Sequence, residues 1–101
     1  METRVLEPEQ MQPDSWVVTA GRPHEPGAPL NVPIVPASNF AHGMPRTYAR
    51  EHPTPTVEAF EELVGGLEGG TAVAFASGMG AALAVLMSTP ASADVVLAEG
   101  C

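Results

Sequence analysis

The sequence predicts an α/β chain: an N-terminal extended arm followed by the first βαβ part of a larger α/β domain, truncated. Three observations carry this. Eight of the eleven prolines stand before residue 46, and proline breaks both helix and ladder. A capped, apolar-striped segment then runs from Thr54 to Leu67. Last, two short apolar runs, TAVAFA and ADVVLAE, flank the helix-like run MGAALAVLM. The expected division is an arm over 1–47 and the start of the α/β domain over 48–101.

In the arm, DSWVVTA (14–20) predicts a short helix capped by Asp14 or Ser15, and Trp16 is a candidate packing anchor. LNVPIVPASNF (30–40) is apolar, and its prolines predict an extended segment lying against another surface. The next helix starts after PTPT. Thr54 is the expected N-cap and Pro55 takes the first helical position, where a missing N–H costs nothing. Val57, Phe60, Val64 and Leu67 form one apolar stripe, with Glu58, Glu61 and Glu62 expected to face away. Glycines in GLEGG end the helix. TAVAFA (71–76) and ADVVLAE (93–99) read as buried strands. The intervening helix, from Met79 to about Met87, stops near STP, making one right-handed parallel unit.

Charge and composition exclude several functions. The chain of 101 residues carries a formal charge of -8 and four arginines, with no lysine. From Glu51 onward there are seven acidic residues and no basic one. No basic stripe exists to neutralise phosphates, so neither nucleic acid nor an anionic membrane surface is an expected partner. The uncharged stretch 69–93 is cut by Ser77, Gly78 and Gly80 and lacks positive flanks, which argues against a membrane span. One cysteine, Cys101, excludes a disulfide framework, and the N-terminus lacks an apolar leader, so a cytoplasmic location is expected. His24, His42 and His52 fit no common metal-ligand spacing, and no metal is expected.

The Ser77-Gly78-Met79-Gly80 turn is the candidate binding site. A helix start leaves its first N–H groups without intrahelical acceptors and carries a partial positive charge. Glycine there lets an anion reach the backbone, and Ser77 adds a hydroxyl. Two readings stand open: a phosphate site, or glycines that only make the turn and admit close packing. A dinucleotide-binding version takes Gly78 and Gly80 as the first two fingerprint glycines and Glu99 as the ribose acid, but Leu83 replaces the third glycine. A phosphate also recruits a cation. Arg50 is the nearest candidate, and Tyr48, two residues before it, points the same way if the segment is extended.

Taken together these segments resemble the fold-type I pyridoxal-phosphate enzymes of cysteine and methionine metabolism, the family of cystathionine γ-synthase, cystathionine γ-lyase and methionine γ-lyase. The resemblance rests on VPIVPASNF, YAREHPTPT, LVGGLEGG and FASGMGAAL, in that order, and runs from about Val17 to the end. It implies an aspartate aminotransferase-like large domain and pyridoxal 5'-phosphate as cofactor. It also implies a lyase or transferase of the transsulfuration type acting on cysteine- or homoserine-derived amino acids. By position, Gly78 and Met79 would offer backbone amides to the cofactor phosphate, with Ser77 beside them. Tyr48 and Arg50 would reach the phosphate of a neighbouring subunit's cofactor, and the arm would make homo-oligomer contacts. His52 stands where the family usually has asparagine, and Gly80 where alanine is more usual.

Such chemistry needs a lysine to hold the cofactor aldehyde as a Schiff base, and this chain has none. No catalytic residue is therefore expected here. The chain is expected to be an N-terminal fragment or truncated reading frame, inactive alone. Two other functions remain in view: a Rossmann-like dinucleotide-binding module, and a non-catalytic chain that docks on a full-length homologue.

Overall fold

A computed structural model describes residues 10–43 and 45–100. Among these residues are three α-helices: α1 (Pro13–Thr19), α2 (Pro55–Leu67) and α3 (Gly78–Ser88).

Helix α1 forms where a short helix was expected, but its cap lies earlier. Gln12 is the N-cap and makes no side-chain cap bond. Its carbonyl accepts from both Ser15 and Trp16 N–H at 3.0 Å. Pro13 fixes this start, because its preset φ suits the first helical position. Asp14 then sits inside the first turn, near the positive helix end, instead of capping it.

Helix α2 begins as the sequence predicts. Thr54 Oγ1 accepts from Val57 N–H at 3.4 Å, and Pro55 follows it. The C-terminus closes by two nested bonds. Gly70 N–H donates to Gly65 O at 2.8 Å, and Gly69 N–H to Gly66 O at 3.4 Å. Gly69, at φ +66°, takes the left-handed conformation that this closure requires.

The two helices meet at Trp16, which is 7% exposed and the one buried large apolar residue among those described. Its indole Nε1–H donates to Leu63 O at 2.9 Å. The indole ring lies where a side chain at Gly66 would be: a Cβ there would come within 2.3–2.4 Å of ring atoms. Gly21, at φ +69°, closes the other end of the contact, where a Cβ would meet Ala59 at 2.7–2.9 Å. A tryptophan needs a flat, side-chain-free strip to lie on, and the interior glycine of LVGG supplies it. The glycine weakens the helix by about 1 kcal/mol relative to alanine, less than the ~3–5 kcal/mol at stake in burying a tryptophan.

Side chains then fasten the loops to α2. Thr56 Oγ1 accepts from Val35 N–H at 2.9 Å and donates to Pro33 O at 3.3 Å, pinning the arm. Glu61 accepts from Ala74 N–H at 2.7 Å, holding the segment that leads to α3. Glu58 is bound by Arg46. Two of the three glutamates expected to face away are thus tied to other parts of the chain. Between the pinned Pro33 and Val35, the Ile34 side chain points outward and is 83% exposed.

Segments 71–76 and 93–99, expected as strands, are not helical, and among the described residues neither enters a ladder. One isolated antiparallel bridge joins Asn39 to Tyr48, across the boundary expected between 47 and 48. Helix α3 is capped by Ser77 and by Thr89, just before Pro90, but buries no residue. The radius of gyration, 17.3 Å, exceeds the roughly 13 Å of a compact domain of this length. No helix among the described residues is long and apolar enough to cross a membrane.

Candidate functional site

The site is built around two turns. The first is centred on Tyr48. Its carbonyl accepts from Glu51 N–H at 2.9 Å and from His52 N–H at 3.0 Å, so the chain reverses here. The expected extended geometry is therefore replaced by a tight turn. The turn still brings the two side chains together. Arg50 Nη2–H donates to Tyr48 Oη at 2.9 Å, and the guanidinium carbon sits 4.9 Å from the ring centroid. At this range the ring face attracts the cation.

Arg50 makes no ion pair with a carboxylate among the described residues. The neighbouring acids are engaged elsewhere: Glu51 accepts from the Thr47 hydroxyl at 2.7 Å, Glu58 binds Arg46, and Glu61 holds Ala74 N–H. An exposed guanidinium in this state keeps donors free for an anion.

The second turn is the start of α3. Ser77 Oγ accepts from Gly80 N–H at 3.1 Å, and Ser77 O accepts from Ala81 N–H at 3.1 Å. Ser77 is thus an N-cap first, with its hydroxyl proton still available to a ligand. The Gly78 and Met79 amides belong to the first turn, where no intrahelical acceptor exists. A Cβ built at Gly78 meets nothing within 4 Å, so its backbone is open to approach.

An open groove of about 800 Å³ is lined by Arg50 and Glu51 of the first turn, by Thr54, Val57 and Glu61 at α2, and by Val73 to Ala76, the segment that leads into the second turn. Arg50 and the segment leading into Ser77 therefore share a groove. Tyr48, Ser77, Gly78 and Met79 are not among its lining residues, and no hydrogen bond joins the Tyr48–Arg50 pair to the Ser77–Met79 turn among the described residues. No group of three or more His, Cys, Asp or Glu that could hold a metal occurs among them either. Cys101 lies outside the described residues.

Sequence reasoning missed Arg46 and Glu61. Arg46 Nε–H donates to Pro53 O at 3.0 Å while its Nη2 binds Glu58. No local pattern marks an arginine that pairs twelve positions ahead in a loop-to-helix contact.

No protein-family model and no solved structure matches the chain. Over 62 residues, 60% of its length, it is 47% identical to a curated protein of Pseudomonas aeruginosa, and it spans 15% of that relative's length. That relative is named O-succinylhomoserine sulfhydrylase, and the similarity is confined to this part of the chain.

Proposed function

We propose that this chain provides the cofactor-phosphate contacts of a pyridoxal-phosphate-dependent enzyme of the transsulfuration type. The substrates would be cysteine- or homoserine-derived amino acids, and the activity would belong to the larger protein. The observation that carries this is Arg50: a guanidinium bonded to Tyr48, stacked on its ring, lacking a carboxylate partner among the described residues, and lining the groove beside the approach to Ser77. The similarity to O-succinylhomoserine sulfhydrylase supports the reading.

The residues present fit the phosphate end of the cofactor. Gly78 and Met79 offer first-turn amides at an open backbone, and Ser77 holds the turn through Gly80 while keeping a proton to donate. Tyr48 and Arg50 supply a hydroxyl and a cation. In a homo-oligomer these would serve a second copy's site, with the exposed 30–36 segment of the arm lying on that copy. The residues do not fit the aldehyde end, since the chain has no lysine. When bound, the cofactor supplies an electron sink that stabilises carbanions next to the amino group. The part played by these residues is to bind and orient the phosphate, with no proton transfer of their own.

Calorimetric titration with pyridoxal phosphate tests this. Arg50→Ala should weaken binding about tenfold, the loss of one charge-assisted contact. Equal affinities in wild type and variant would overturn the reading. The lysine-free chain should show no absorption band of a lysine-bound cofactor, and such a band would contradict the assignment of chemistry to the rest of the protein.

A further inference from the structure

We infer that Arg46 is a positioning residue for the Tyr48–Arg50 pair: its guanidinium closes the base of the loop 46–53 that presents the pair to an anion. The anion part of this rests on the function proposed above.

The loop is held at several points. Inside it, Tyr48 O gathers the Glu51 and His52 amides, and the Thr47 hydroxyl donates to Glu51. On its outer side, Phe40 N–H donates to Thr47 O at 3.2 Å and Ala49 N–H to Ser38 O at 2.8 Å. These bonds shape the loop but tie it only to the arm. Arg46 alone among these contacts ties it to the rigid part of the molecule. From one end of its planar group, Nε–H reaches Pro53 O at 3.0 Å, across the mouth of the loop. From the other, Nη2 reaches the Glu58 carboxylate in the first turn of α2. One rigid fork therefore fixes the loop's closing residue and its angle to the helix together. A lysine ammonium, a single point on a flexible stem, cannot fix both.

The pair is partly open to water, with 32% of the Arg46 side chain and 44% of the Glu58 side chain exposed. A pair so placed adds little to global stability. Its consequence lies in orientation: without it, the Tyr48–Arg50 pair would be held to α2 only through the chain running from Pro53 into Thr54 and, indirectly, through the arm bonds to Thr56.

The chain contains one tyrosine and one tryptophan, so the loop and the α1–α2 contact can be read separately in the full 101-residue chain. Tyr48 ring signals by NMR report the pairing with Arg50. Trp16 emission reports the helix contact. In Arg46→Ala the Tyr48 signals should move to those of Arg50→Ala, with Trp16 emission unchanged. Affinity for inorganic phosphate should fall about tenfold, as in Arg50→Ala, because the displaced Arg50 guanidinium is the charge-assisted contact that is lost. Arg46→Lys should recover part of that loss, and Arg46→Ala in an Arg50→Ala background should cost nothing further, since the two act through one another. Wild-type Tyr48 signals in Arg46→Ala would overturn the inference. So would a shift of Trp16 emission in that variant with no recovery in Arg46→Lys, because both would then follow from general loosening. If wild type and Arg50→Ala bind phosphate equally, the anion reading fails, while the Tyr48 signals still decide the role of Arg46.

Discussion

The α3 helix is built from more apolar sequence than the helices of the α1–α2 contact, yet it is the α1–α2 contact that buries a side chain. At α1–α2, one tryptophan finds a partner shaped for it: glycine at 66, glycine at 21, and the Leu63 carbonyl for its N–H. At α3, eleven residues of good helix sequence bury nothing, Leu83 is 54% exposed, and Val96 in the following segment is 91% exposed. The difference teaches what a helix needs. Propensity and a cap suffice to form α3, whereas burial requires a complementary surface, and the described residues offer none to it. In the candidate site α2 holds the approach to both turns: Arg46 ties the Tyr48 loop to Glu58, and Glu61 holds Ala74 in the segment before Ser77, whose own turn is closed by its cap.

The largest test of the comparison is Trp16→Ala. Loss of the buried indole should cost about 3–5 kcal/mol, removing amide-exchange protection across α2 while leaving α3 as it was. Equal loss in both helices would show that they form one cooperative unit. Gly66→Ala comes next. Alanine normally favours a helix interior by about 1 kcal/mol over glycine, but here its Cβ meets the indole ring, so a net loss of ~1–3 kcal/mol is expected by thermal or denaturant melting. A gain in stability would mean the ring does not rest on Gly66.

Ser77→Ala should remove the cap of α3 and cost that helix about 1 kcal/mol, visible as faster exchange over its first turn with α2 unaffected. Smallest of all, Leu83→Ala should change the melting free energy by no more than about 0.5 kcal/mol, as expected of an exposed side chain. A larger loss would mean that α3 packs on something, and would dissolve the contrast.

Much of this arrangement was legible in the chain. Thr54-Pro55 and the glycines after Leu67 mark the ends of α2 because capping is local chemistry, settled within four residues. The turn at Ser77 is legible too, although the helix was expected from Met79 and begins at Gly78 with Ser77 as its cap; the closeness of Tyr48 and Arg50 follows from their spacing of two positions. The α1 cap was misplaced because Asp14 and Ser15 are both good caps, and Pro13 overrides them by fixing φ one residue earlier. The turn at Tyr48 was read as extended because nothing nearby shows its carbonyl taking two amides.

What the sequence alone determined, then, is the start and end of α2, the position of the turn at Ser77, and the impossibility of a lysine-held cofactor on this chain. Tertiary structure alone decided that Gly66 is a seat for Trp16, that Arg46 reaches Glu58 and Pro53, and that Glu61 holds Ala74. The physical reason is range. Caps, turns and composition act over a few residues and leave a local signature, whereas a ring on a glycine or a guanidinium across a loop depends on where distant segments meet.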